Sequence, residues 1–174
     1  MRPLVDRLAA ARIGSTTNFY RAGPGAALRR SRLAAYLEAR RDAPILLVGE
    51  APGYRGTRIS GIPFTSERLL TGCGPAEATA TIVHRVLGEL GVEREVLLWN
   101  VVPTHPGTAT SNRPPTRAEV EAARVFLHEL LAGRRAVAVG RVAAAALPGA
   151  DAVRHPSHGG AAAFAAGLRA VIGA

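Results

Sequence analysis

The chain has 174 residues, a formal net charge of +9, 22 basic residues that are all arginine, and a single cysteine. Such a length predicts one domain, residues 1–174, with a core of its own, and no apolar run approaches the roughly 20 residues of a membrane helix. One thiol, Cys73, excludes an internal disulfide framework or a cysteine-built metal cluster, so we expect no metal and no cofactor. The positive charge predicts a polyanionic partner whose affinity falls as the salt concentration rises. The absence of lysine is explained as well by codon bias as by a functional need for arginine.

The first elements are a helix and a buried strand. Residues 29–43 place Leu33, Tyr36 and Leu37 on one face among arginines, which is typical of an amphipathic helix. The apolar run 45–48 follows, and a short continuous apolar run is typical of a strand buried on both faces. Upstream, the N-terminus is too interrupted by charge for a secretory signal, so a bacterial cytoplasmic location is expected.

The middle of the chain repeats this alternation. A second helix is predicted over 77–91 and a second buried strand over 95–99. Residues 101–115 form the only long irregular segment, and long loops in compact domains tend to be functional. Thr116 and Glu119 have the spacing of a capping box for a helix that ends near Leu131.

The last third continues in the same order. A third strand is predicted over 136–139, an alanine-rich helix from Gly140 to before Pro148, a short strand over 152–154 and a helix over about 161–171. Helices alternating with short apolar strands predict an α/β fold: a three-layer α/β/α sandwich around a short, mainly parallel four-stranded sheet.

Polar residues follow three of the four predicted strands. Ligands of open parallel sheets bind at the carboxyl ends of the strands. Glu50 follows the first strand, Asn100 the second and His155 the fourth, and Phe64 reaches the same edge if the loop after the first strand folds back. Each has a structural explanation, such as a turn or a core position, but together they favour a functional site.

Three segments at these strand ends resemble the uracil-DNA glycosylase superfamily. "GEAPG" (49–53) is similar to its first motif, "HPS" (155–157) to its second, and "WNVVP" (99–103) to the strand end with the base-reading Asn. "NRPPTRAEVEAARVFL" (112–127) is typical of the bacterial iron–sulfur branch. The resemblance covers about residues 44–160, and it implies the same sandwich fold and removal of uracil from DNA during base excision repair.

The resemblance implies a pocket for a flipped uracil. Enzymes that act on a base in a duplex extrude it and read it by its hydrogen-bonding edge and by stacking. Phe64 would stack on the ring, and the amide of Asn100 would pair with N3–H and O4. Gly49, Ala51 and Tyr54 complete the expected substrate-binding set, in which Tyr54 would shield the uracil C5 position.

Two residues are implied as catalytic. His155 would donate a hydrogen bond to the oxyanion that develops at O2, supported by backbone N–H groups near Glu50 and Ala51. Glu50 would orient the attacking water or stabilise the cation-like sugar. The expected DNA-binding residues are Arg55, Arg58, Ser157, His158 and Gly159.

The chain departs from the family pattern in several places. The cluster cysteines of the iron–sulfur branch are missing, and Ala51 stands where other members have a water-activating Asp. The segment "HPSHGGAA" (155–162) holds no large apolar residue to fill the gap left by a flipped base, so His158, the backbone or another loop would do so. No His follows in "YRGTRISG" (54–61), which argues against covalent trapping of the sugar.

Several functions remain open. The first is a monofunctional, monomeric uracil-DNA glycosylase whose partner is uracil-containing DNA. A member preferring another deaminated base such as hypoxanthine is a close variant, and a catalytically weakened nucleic-acid-binding module is a different class. A nucleotide hydrolase is disfavoured, because the glycine-rich loop lacks a Gly-Lys-Ser/Thr ending and no acidic pair for Mg²⁺ is present.

Overall fold

In the computed structural model, residues 1–173 are described, and they contain a four-stranded, all-parallel sheet between two layers of helices. The strands are β1 (Ile45–Gly49), β2 (Val96–Asn100), β3 (Arg135–Val139) and β4 (Asp151–Val153). The helices are α1 (Arg2–Ala10), α2 (Ala26–Ala39), α3 (Thr57–Ser60), α4 (Glu67–Thr71), α5 (Ala78–Leu90), α6 (Arg117–Leu131), α7 (Arg141–Ala146) and α8 (Ala161–Ile172). The predicted α/β sandwich is confirmed.

The strand order is β2-β1-β3-β4, and every neighbouring pair is parallel. The chain leaves β1 for β2 on one side and later returns to place β3 on the other side. The carboxyl ends of β1 and β3 therefore flank a topological switch point, where open α/β sheets bind their ligands.

Side chains alternate between the two faces of the sheet. Leu46 and Val48 of β1 belong to a core with α1, α2, α6 and α7. Ile45 and Leu47 belong to a second core with α5 and α8. This period of two places Gly49 and, in β2, Asn100 on the face covered by α5 and α8.

The chain before β1 holds a helix that the sequence analysis did not predict. Leu4, Val5 and Leu8 of α1 are buried in the first core, while the intervening Asp6 and Arg7 face solvent. Asn18 secures the end of this helix, since its Nδ2 donates to the carbonyls of Leu8 (2.7 Å) and Ala11 (3.0 Å). Asp6 and Arg7, which interrupt the apolar sequence, thus form the polar face of an amphipathic helix.

Other boundaries moved by a few residues. The helix predicted over 29–43 is α2, Ala26–Ala39, and the strands predicted over 95–99 and 152–154 are each shifted by one residue. The capping box is confirmed: Thr116 Oγ1 accepts from Glu119 N (3.2 Å) and Glu119 accepts from Thr116 N (2.8 Å). Within residues 1–173, no helix has the length and apolar character needed to cross a membrane.

Candidate active site

A cavity of about 1060 Å³ opens at the carboxyl ends of the strands. Its walls come from the loop after β1, the start of α5, the end of β2, the loop before α6, the start of α7 and the loop after β4. The predicted residues among its lining are Glu50, Ala51, Phe64, Asn100, His155, Ser157 and His158. The structure thus brings together the strand-end residues that the sequence analysis expected to meet.

Phe64 and Asn100 meet over Gly49. A Cβ at Gly49 would overlap Phe64 Cζ and would lie 2.9 Å from Phe64 Cε2 and 3.1 Å from Asn100 Oδ1. Only a glycine at the end of β1 leaves room for the ring and the amide to approach the same point of backbone. The ring edge of Phe64, which is buried in the second core, and the buried amide of Asn100 therefore lie side by side in the cavity wall.

Phe64 has a backbone conformation that is rare for a bulky residue, with φ at +52°. The turn around it is fixed by Ser60, whose Oγ donates to the carbonyl of Thr65 (2.6 Å) and accepts from the N–H of Ile62 (3.1 Å). Such strain persists only where the surroundings over-determine it, and it clusters at functional sites. The second non-glycine residue with positive φ among residues 1–173 is His158 (+51°), which also lines the cavity.

The protonation pattern of His155 is fixed by its neighbour. The backbone N–H of Ser157 donates to His155 Nδ1 (3.1 Å), and Ser157 Oγ lies 2.7 Å from the same atom. Because Nδ1 acts as an acceptor, the proton of the neutral ring resides on Nε2. The imidazole is therefore a preoriented N–H donor.

Burial lowers the pKa of His155, and the positive charges of His158 and Arg154 lower it further. The ring is thus held neutral to a lower pH than an ordinary histidine. Gly140 contributes to this placement, because a Cβ there would lie 3.1 Å from His155 Cβ.

Two carboxyl groups line the cavity, and burial raises the pKa of both Glu50 and Glu77. Glu50 was predicted from its position after β1. Glu77, the residue before α5, was missed, because the sequence marks it only as the start of a helix. The available signal was an acidic residue at the start of α5, the helix that covers the face carrying Asn100.

The irregular segment 101–115 is tied to the first motif by buried His105. Its Nδ1 lies 2.7 Å from the carbonyl oxygen of Pro52, and its Nε2 lies 2.8 Å from that of Thr108. Asn112 adds a second connection, since its Oδ1 accepts from the N–H of Tyr54 (2.9 Å). These contacts hold the two loops as one wall of the cavity.

The same wall carries a fixed arginine. Arg113 lines the cavity, and its two terminal nitrogens bind the buried carboxylate of Glu119 at 2.8 and 2.6 Å. The hydrogen bonds from Arg113 lower the pKa of Glu119 to about 2 against the cost of burial. The guanidinium is thus fixed in the cavity wall as one half of an ion pair.

Five predicted site residues lie outside the lining: Gly49, Tyr54, Arg55, Arg58 and Gly159. Tyr54 does not line the cavity, and the guanidinium carbon of Arg55 lies 5.4 Å from its ring centroid. Arg58 donates to the carbonyls of Tyr54 (3.3 Å) and Ala109 (3.0 Å), which makes it a connection between loops. Gly159 lies in the loop after β4 with open space around its α-carbon.

The sequence analysis also missed part of the wall after β3. Gly140 and Arg141 were assigned only to the start of a helix, but they line the cavity, as does Arg154 after β4. The rule used for the other three strands, that residues after a parallel strand face the ligand, would have found them. Among residues 1–173, no group of three or more His, Cys, Asp or Glu side chains is arranged to hold a metal ion.

The fold and this cavity define an α/β protein with a ligand site at the switch point of a parallel sheet. A family model described as the Uracil DNA glycosylase superfamily matches residues 37–170. The chain belongs to that superfamily, which confirms the resemblance and supports a DNA glycosylase role in base excision repair.

One solved structure is similar over nearly the whole chain. It is the crystal structure of wild-type SMUG2 from Pedobacter heparinus, which matches with a TM-score of 0.65 at 14% sequence identity. The match covers 99% of this chain and 98% of that chain, and it shows a shared fold. A comparison with curated protein sequences gave no significant match.

Proposed function

We propose that the protein is a monofunctional DNA glycosylase that flips uracil out of DNA and hydrolyses its N-glycosidic bond to leave an abasic site. The observation that carries the proposal is the meeting of Phe64 and Asn100 over Gly49 inside the cavity. A ring for stacking beside a buried amide is the arrangement that a planar base with a polar edge requires.

Asn100 selects uracil by the two functions of its amide. Its Oδ1 accepts from N3–H of uracil, and its Nδ2 donates to O4. Cytosine presents the reversed pattern, so it would leave buried polar groups of Asn100 unpaired, at a cost of about 1–3 kcal/mol for each. The side chain is only 4% exposed, which makes that cost relevant.

His155 stabilises the leaving group. When the bond between C1′ and N1 breaks, the electron pair moves onto the base and is shared with O2. The Nε2–H of His155 donates a hydrogen bond to that developing oxyanion. Its lowered pKa supports this role, because a neutral donor is sufficient and is the dominant form at neutral pH.

Glu50 acts on the sugar. As the base departs, the sugar gains positive character at C1′, and the carboxylate of Glu50 stabilises that charge or orients the attacking water. The protein needs no cofactor for this reaction, because every step uses a side chain, a backbone N–H group or water.

The DNA backbone is bound by arginines around the cavity. Arg113, Arg141 and Arg154 line it, Arg55 lies on the neighbouring loop and Arg58 lies in α3. The loop after β4, formed by Ser157, His158 and Gly159, approaches the DNA strand. We propose a monomer that acts on uracil-containing DNA in the bacterial cytoplasm.

A second candidate is excision of another deaminated base such as hypoxanthine. The observation that favours it is that Tyr54 does not narrow the cavity. The cavity volume of about 1060 Å³ is large enough for a purine. A binding module without catalysis is disfavoured, since a backbone binder has no use for a preoriented His155.

The test is a panel of oligonucleotides that are identical except for one base: uracil, hypoxanthine, thymine or cytosine. Each is incubated with the protein under single-turnover conditions, and abasic sites are then cleaved with alkali. Uracil is expected to be released at least about 100-fold faster than cytosine. Faster release of hypoxanthine than of uracil would replace the first candidate with the second.

A further inference from the structure

Glu77 occupies the N-cap position of α5, but its side chain does not cap the helix. Ser, Thr, Asp and Asn are the residues that usually cap a helix from this position, and Glu is not one of them. The carboxylate of Glu77 instead lies against the loop that follows β1. The side chain of Glu77 therefore has no capping role in α5.

Two glycines of that loop make room for the carboxylate. A Cβ at Gly53 would overlap Glu77 Oε1 and lie 3.0 Å from Glu77 Cδ, and a Cβ at Gly56 would overlap Oε2 and lie 2.6 Å from Cδ. One oxygen thus contacts each glycine. This fit fixes the orientation of the carboxylate beside the first motif.

The carboxylate has no compensating partner in the part of the chain that the structure describes. No hydrogen bond from residues 1–173 reaches it, and burial alone raises its pKa. The residue is partly exposed and its oxygens remain accessible, so water can reach them. Since Glu77 lines the cavity, its open hydrogen-bonding capacity is available to a ligand or a water there.

Glu77 also lies on the functional face of the sheet. α5 packs on the face that carries Leu47 and Leu98, and the period of two extends that face to Gly49 and Asn100. The carboxylate at the start of α5 is thus on the same side of the sheet as the amide that reads the base.

On the basis of the proposed function, we propose that Glu77 is the residue that orients and deprotonates the attacking water. The water oxygen forms the new bond to C1′ as the bond from C1′ to N1 breaks, and the electron pair of the broken bond leaves with the base. The proton of the water passes to the Glu77 carboxylate and later to solvent or the released base anion. The negative charge of Glu50 then stabilises the positive charge of the sugar.

The test compares Glu77→Gln with Glu95→Gln in single-turnover cleavage of a uracil oligonucleotide. Gln keeps the size of the side chain but cannot take a proton, so cleavage should slow about 100-fold or more while DNA affinity is unchanged. Glu95 is exposed at the start of β2, at the opposite edge of the sheet, so its variant should cleave like the wild type.

A rescue experiment separates chemistry from structure. Glu77→Ala removes the carboxylate and leaves space beside Gly53 and Gly56 for a small acid. Added formate should restore part of the lost rate, whereas chloride at equal ionic strength should not. A structural residue would show no such difference.

The possible failures are distinguishable. If the wild type cleaves uracil DNA and Glu77→Gln cleaves equally fast, the role of Glu77 is overturned and the proposed function stands. If the wild type releases neither uracil nor hypoxanthine, the proposed function and the role of Glu77 both fall.

Discussion

Gly49→Ala adds a single methyl group and tests the proposed base pocket. The new Cβ would overlap Phe64 Cζ and lie 2.9 Å from Cε2, whereas carbon atoms pack best at about 3.5–4.0 Å. The strand cannot yield easily, because β1 is paired on both sides and the carbonyl of Gly49 accepts from Val101 N at 2.8 Å. The ring of Phe64 therefore has to move by about 1 Å, and the open side available to it is the cavity.

The expected effect falls on catalysis more than on stability. A misplacement of about 1 Å in a positioning group can reduce a rate about 100-fold. Overpacking a core costs about 1–3 kcal/mol, but movement of the ring into the cavity relieves part of it, so the free energy of unfolding should fall by about 1 kcal/mol or less. We expect single-turnover uracil release to slow about 100-fold in a protein that still folds.

The matched control is Gly88→Ala. Gly88 lies within α5 and its Cβ would meet nothing closer than 3.8 Å, so the substitution should stabilise the protein by about 0.5–1 kcal/mol and leave the rate unchanged. Both variants are compared by urea unfolding and by single-turnover cleavage. A wild-type rate for Gly49→Ala would refute the assignment of Phe64 to the base pocket.

Further predictions concern pH, stability and DNA affinity. The cleavage rate should stay constant from pH 8 through the ordinary histidine range near 6.5 and fall only below it, because the pKa of His155 is lowered and its neutral form is the active one; a rate that rises on acidification through pH 6.5 would show that the imidazolium acts instead. Glu119→Gln should lower the free energy of unfolding by about 2 kcal/mol at pH 7, the worth of its charge-assisted hydrogen bonds. Because the folded pKa of Glu119 is depressed to about 2, that stabilisation is complete above the ordinary value of 4.5 and is lost as the pH falls towards 2; an equal difference between wild type and variant in urea unfolding at pH 7 and pH 3 would contradict this. Arg141→Ala and Arg154→Ala should each reduce the salt dependence of DNA binding by about one unit in the slope of log K against log salt, and unchanged slopes in fluorescence anisotropy titrations would remove these arginines from the DNA interface.

Much of the fold follows from local patterns in the sequence. The runs "ILLV" and "VLLW" are apolar at every position because both faces of the sheet are covered, and this distinguishes them from one-sided strands. Asn100 and His155 were identifiable because they end or follow such strands. The strand-end rule works because parallel strands bring their carboxyl ends to one edge.

The remaining site residues depend on tertiary contacts that no local pattern records. The side chain of Glu77 leaves its helix only because Gly53 and Gly56 of a distant loop provide space. Tyr54 was expected in the pocket but does not line the cavity, and its ring lies beside the guanidinium of Arg55. The positive φ of Phe64 likewise depends on hydrogen bonds of the turn that carries it.

The most direct test of the account is single-turnover incision of an oligonucleotide with one uracil, without added metal, by the wild type and by Asn100→Asp. The aspartate has the size of the amide and keeps its acceptors, but it loses the donor for O4, so circular dichroism should be unchanged while uracil release falls at least about 100-fold. That pair of results would establish the pocket and the chemistry together. Equal rates for the two proteins would contradict the central claim that Asn100 reads the flipped base.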